Sequence, residues 1–81
     1  MQLEILTPEK KIFEGEVTIV TFPGASGSFQ VMDNHAPLIS LLQEGVVEYK
    51  GREGTARVGI LGGVVEVLQN KVIVLATGIA A

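Results

Sequence analysis

His35, the only histidine of the chain, follows Asp33 by two residues within FPGASGSFQVMDNHAPLI (residues 22–39), a stretch that also carries Gly24, Ser26, Gly27 and Ser28. An imidazole beside a carboxylate is the minimal acid–base pair. Acyl transfer would further require a serine aligned on the ring and donors for an oxyanion, and only Ser26, Ser28 or Ser40 could fold close enough to serve. A zinc centre needs several nitrogen or sulfur ligands and a calcium loop a dense run of oxygens; one histidine among scattered carboxylates offers neither spacing. The glycines and serines look like a phosphate cradle, yet such a loop must open a helix or end in GK[ST], and this one runs into the extended SFQV. These residues therefore point to contact rather than catalysis. No catalytic, metal or cofactor site and no small-molecule ligand is expected. His35 is expected to shape its loop by bonding to backbone, while the glycines supply turn dihedrals and let a partner approach the main chain.

The elements that must position this loop are strands, because the hydrophobic period is two. Leu3 and Ile5 alternate with Gln2 and Glu4; Val46 and Glu48 oppose Val47 and Tyr49; Val64 and Glu66 oppose Val65 and Val67; Phe13, Val17 and Ile19 share a parity interrupted by Gly15. Turn residues recur at Thr7-Pro8, Pro23-Gly24, residues 34–37, Gly45, residues 51–54, Gly62-Gly63 and Asn70, the short spacing of an antiparallel sandwich or barrel. KGREGT (residues 50–55) reads as a hairpin tip and QNK (residues 69–71) as a tight turn. No segment makes a convincing amphipathic helix. VTIVTF (residues 17–22) and VIVLA (residues 72–76) are apolar on both parities, which fits either a strand covered on both faces within the fold or a sheet whose outer face awaits a partner.

The 81 residues make one domain, 1–81, near the lower size limit for a single core, which would bury only roughly 60–65% of the unfolded surface. With no cysteine, neither disulfides nor a thiolate zinc cluster can supplement packing. The chain is 47% hydrophobic with mean hydropathy +0.43, but no apolar run approaches the ~18 residues of a membrane span. MQLEILTPEKK has its charges after its apolar residues, unlike a secretory signal, so the cytoplasm is the default compartment. Net charge is −3, and Lys10, Lys11, Lys50, Arg52, Arg57 and Lys71 are scattered rather than gathered on one stretch, which argues against nucleic acid. A lipoyl or biotinyl carrier, or a generic β-sandwich protein-binding module, is the alternative for a small acidic β chain. A carrier needs a lysine at an exposed hairpin tip, which VMDNH lacks, and Lys50 in YKGRE is flanked wrongly for that role.

LxIxTPEKKIFEGEV (residues 3–17), PGxxGxFxVxxxHAPLI (residues 23–39), GGVVEV (residues 62–67) and KVIVLA (residues 71–76), in this order, together resemble the N-terminal β-sandwich domain of the epsilon subunit of F-type ATP synthase. The resemblance covers nearly the whole chain. It implies an all-β fold, a flattened antiparallel β-sandwich of about ten short strands. It also implies a non-catalytic rotor subunit of the central stalk, with the gamma subunit and the c ring as partners. Its role there would be to couple ring rotation, and so ion transport, to ATP synthesis. Such a subunit would be cytoplasmic and peripheral on the inner face of the energy-transducing membrane, without insertion into it. By matching position, the resemblance assigns Ser26, Gly27, Ser28, Phe29 and His35 to the c-ring contact and Thr7, His35, Ala36, Pro37 and Leu38 to the gamma contact. Ser28 stands where an acidic residue is frequent, Asp33 where proline is, and Gln30 and Asn34 where glycine is; Asn tolerates left-handed backbone and Asp can cap a turn. Relatives continue past the last strand into two inhibitory C-terminal helices, whereas this sequence reads VLATGIAA, so the expectation is a naturally short form or a fragment, without those helices.

Overall fold

Leu3, Ile5, Val65, Val67, Val72 and Val74 are all but fully buried, and their chain neighbours face outward, so the period-two pattern is realised as pleated strands. In the computed structural model, which describes residues 1–80, nine strands run β1 (Gln2–Leu6), β2 (Lys11–Glu16), β3 (Ile19–Gly24), β4 (Gly27–Met32), β5 (Leu38–Leu42), β6 (Gly45–Gly51), β7 (Gly54–Ile60), β8 (Gly63–Leu68) and β9 (Lys71–Ala76). The expected domain end at Ala81 lies outside the described residues. There is no helix among them.

The strands form one folded sheet with two layers. The first layer is β2-β1-β9-β8-β5; the second is β4-β3-β6-β7. They join at a corner where Gly24 faces Leu42, the Ala25 N–H donates to Leu41 O at 2.9 Å and the Gln43 N–H donates to Pro23 O at 2.9 Å. A second tie comes from the tail: Ile79 bridges Ile60, and the Leu61 and Ala80 amides donate to Gly78 and Gly59. Nine strands and this single bridge accord with the about ten short strands expected. Between the layers lies the core, in which Phe22 is fully buried and its ring centroid sits 5.4 Å from that of Phe29. On the far side β2 and β7 end the path unpaired with each other, and the Phe13 ring of β2 packs, tilted, against that of Tyr49 on β6, with centroids 4.4 Å apart.

Two details differ from the sequence pattern. VTIVTF is not one strand: Val17 and Thr18 form the connection by which the chain leaves the first layer for the second. The parity resets there, so Val20 and Phe22 enter the core while Ile19 faces outward. Parity carries no information across a change of layer. The second is that β1 and β9 pair in parallel. Every connection reverses the chain, so the first and ninth strands must run the same way, and their adjacency makes the pair parallel.

Candidate docking surfaces

The outward residues of the two layers differ in kind. Across the first layer, register places Leu41, Val64, Leu75 and Leu6 side by side in one row, with Ile39, Glu66 and Ile73 in the next. Ile39 is 73% exposed, Leu41 67% and Leu75 50%. Neighbouring apolar side chains on four adjacent strands make a continuous patch, not scattered surface hydrophobes. Its margin at β2 is charged. Lys11 Nζ reaches Glu14 at 2.6 Å and Glu4 at 3.2 Å, which raises the lysine pKa and lowers that of Glu14. Across the second layer the corresponding row is Gln30, Thr21, Glu48 and Arg57. Its members satisfy one another: Gln30 Nε2 donates to Thr21 Oγ1 at 3.2 Å and Arg57 Nε to Glu48 Oε1 at 2.8 Å.

Each end of the sandwich carries its own loops. At one end the β3–β4 hairpin turns through Ala25 and Ser26 between the paired Gly24 and Gly27. A side chain at Gly24 would collide with Gly27 O and the Phe29 ring, and Gly27 has φ 130°, so the tip requires both glycines. Ser26, Gly27 and Ser28 are exposed there. Phe29 is half-buried and turned towards Phe22. Thr7 lies at this same end, where its hydroxyl accepts from the Glu9 and Lys10 amides and donates to Lys10 O.

His35 lies at the other end, separated from Ser26 by the length of β4, roughly 20 Å for six residues at strand rise. Its Nδ1 is 2.7 Å from Ala36 O, so Nδ1 carries the proton, and its amide donates to Met32 O at 3.1 Å. Asn34 takes the left-handed φ of 62° that its sequence position suggested, and its amide donates to Asn70 Oδ1 at 2.7 Å. Asp33 is engaged by the chain terminus: the Met1 ammonium donates to Asp33 Oδ1, to Val17 O and to Glu16 Oε2. Ala36 and Pro37 are exposed, whereas Leu38 turns inward against the core.

His35 thus meets neither Ser26 nor Ser28, and Ser40 Oγ is engaged with Leu41 O, so no serine is aligned on the imidazole. Among the described residues no group of three or more His, Asp or Glu could hold a metal ion. Of the residues expected at a ring contact, Ser26, Gly27 and Ser28 come together, Phe29 lies beside them but turns to the core, and His35 stands apart; of those expected at a gamma contact, residues 35–38 come together and Thr7 stands apart. Ile39, Leu41, Val64 and Leu75 were not singled out from the sequence. APLISLL gives no parity by itself, but the two-sided apolarity of VIVLA signalled the exposed face to which they belong.

The chain was compared with known proteins. Residues 1–81 match the family model described as ATP synthase, Delta/Epsilon chain, beta-sandwich domain. The chain is similar to the ATP synthase epsilon chain of Pelotomaculum thermopropionicum, 43% identical over 75 residues that make up 93% of this chain and 56% of that one. Against the epsilon chain of Campylobacter fetus it is 46% identical, covering 96% and 61% of the two chains, and against that of Sulfurimonas denitrificans 43%, covering 100% and 63%. The chain therefore spans about three fifths of the length of these relatives. Its backbone superposes on a chain in the Euglena gracilis mitochondrial ATP synthase (OSCP/F1/c-ring, rotational state 1) with TM-score 0.88 at 21% identity, covering 96% of this chain and 51% of that one. For a chain in the Tetrahymena thermophila mitochondrial ATP synthase central stalk and c ring the TM-score is 0.80 at 16% identity, covering 98% and 64%. Both likenesses establish the fold.

Proposed function

The chain belongs to the ATP synthase delta/epsilon-chain β-sandwich family, and on that premise we propose that it is a non-catalytic rotor subunit that couples rotation of a membrane c ring to the gamma subunit. The observation that carries this reading is the uncovered apolar face of the first layer. Leu41, Val64, Leu75 and Leu6 form one unbroken apolar row across four strands, whereas on the other outer face the central row is Gln30, Thr21, Glu48 and Arg57, and the exposed Met32 and Val46 lie apart from one another. Leaving such a patch in water is unfavourable by about 25 cal/mol per Å² of apolar surface, and a subunit interface removes that penalty.

In this reading gamma lies on that face and on residues 35–38 beside it, with Ile39 and Leu41 as its principal apolar anchors. The ring meets the hairpin tip at Ser26, Gly27 and Ser28, whose polar, side-chain-poor surface suits close main-chain approach. His35 goes with gamma alone, since it stands across β4 from the tip. Thr7, at the tip end, stands between the two surfaces. The mechanism is mechanical: a block whose strands are paired throughout and tied at two corners transmits torque with little deformation. The subunit would thus be held peripherally at the membrane through the complex. Among the described residues no helix is long and apolar enough to cross a membrane.

Co-purification with gamma, using tagged chain and gamma expressed together, tests the reading. Stable capture that a charged residue at Leu41 abolishes is the expected result. A well-folded chain that binds neither gamma nor the c ring would overturn it.

A further inference from the structure

On the outer face of the first layer one carboxylate stands among apolar side chains. Glu66 is exposed in the middle of β8, and register sets Ile39 of β5 on one side of it and Ile73 of β9 on the other. Along its own strand Val64 and Leu68 share its face, because side chains two apart point the same way. Its four nearest neighbours on the face are therefore all apolar. The other two carboxylates of this row, Glu4 and Glu14, share Lys11 at 3.2 and 2.6 Å. Among the described residues Glu66 makes no ion pair; Lys71 lies diagonally from it, opposite Leu68, without reaching it. We propose that Glu66 selects the partner of this face: the covering surface sets a basic side chain against its carboxylate. The inference rests on the reading in which gamma covers the face.

A subunit that covers Leu41, Val64 and Leu75 also takes Glu66 out of water, since it lies in the adjoining row between Ile39 and Ile73. Burying a lone carboxylate is strongly unfavourable unless a cation and hydrogen bonds meet it. Arginine suits the site best, because its planar fork holds both carboxylate oxygens and it is more weakly hydrated than an ammonium. A depression of about 200 Å³ lined by Glu66, Leu68, Gln69, Lys71 and Ile73 opens beside the carboxylate and would receive the incoming head group. Lys71 on that lining is exposed, so water screens its charge. A purely apolar or an acidic surface is rejected by the same carboxylate, which lets an otherwise greasy face discriminate among partners.

The test measures gamma binding by the unmodified chain, by Glu66→Gln and by Glu66→Leu, with melts to check that both variants fold. Glu66→Gln keeps the shape and loses the charge, and should weaken binding about tenfold or more. Glu66→Leu enlarges the apolar patch but strands the partner's cation, and should weaken binding roughly 30-fold or more. Binding of Glu66→Leu as tight as that of the unmodified chain, or tighter, would overturn the proposal and leave Glu66 a charge that only keeps the face soluble. Should Glu66→Leu aggregate, Glu66→Gln decides: each basic side chain of gamma is replaced by alanine in turn, and one replacement should be non-additive with it. Additivity at every position overturns the proposal as well. Absence of gamma binding by the unmodified chain sinks the rotor reading and this inference together, whereas firm binding indifferent to residue 66 sinks the inference alone.

Discussion

The outer faces of the two layers are built on the same pleat around the same core, yet one bears Leu41, Val64, Leu75 and Leu6 where the other bears Gln30, Thr21, Glu48 and Arg57. Backbone pairing is equally complete in both. The difference is therefore not needed for folding, and it separates what stabilises the sandwich from what the sandwich is for. A polar row closed on itself by hydrogen bonds keeps one face in water, whereas an apolar row needs a covering surface. Under the proposed function, the side bearing Leu41 points to a partner and the side bearing Gln30 to solvent.

The comparison breaks most thoroughly at what the faces share. Phe22→Ala removes the largest fully buried side chain and should lower unfolding free energy by about 3–5 kcal/mol, read from denaturant melts, impairing both faces together. Next in size is Leu41→Lys. It should change stability by less than about 0.5 kcal/mol, because the side chain is already in water, yet weaken gamma binding by roughly 2–4 kcal/mol in calorimetry. Gln30→Lys, the matching change on the polar face, should leave binding as it was; equal losses from both would erase the distinction. Smaller still is a pH effect from the end of the sandwich. The Met1 α-ammonium, hydrogen-bonded to Asp33 and Glu16, has its pKa raised above 8.0, so its contribution is complete below about pH 8 and is lost as pH rises through the folded value. Melting temperature of the 81-residue chain with a free amine at Met1 should accordingly decline on the alkaline side. The smallest effect is expected for Arg57→Ala, which removes an exposed ion pair and should shift stability by under about 1 kcal/mol, diminishing with salt.

Much of the fold could be read because period-two alternation directly encodes which side chains enter the core. Val47 with Tyr49 and Val65 with Val67 fall where the pattern puts them, as do the turns at residues 51–54 and 69–71. Asn34 was legible for a different reason: few residue types tolerate its dihedrals. What escaped is non-local. The change of layer at Val17 and Thr18 leaves no mark in the alternation, so Ile19 reads as core and faces outward. The separation of His35 from Ser26 depends on both lying at the ends of one extended strand, a distance that proximity in sequence disguises. Phe29 and Leu38 were read with their loops as contact residues, but strand parity turns both towards the interior.

The parallel pairing of β1 with β9 places the two most distant segments of the chain side by side in the middle of a layer. During synthesis β1 soon has β2 to pair with, but its other edge waits until residues 71–76 emerge. A nascent chain lacking them holds β1–β2 and β8–β5 as disconnected ribbons, each marginal in water. Folding must therefore be a late and largely all-or-none event with slow, long-range closure. Any truncation that removes β9 would be expected to leave a protease-sensitive polypeptide instead of a smaller sandwich.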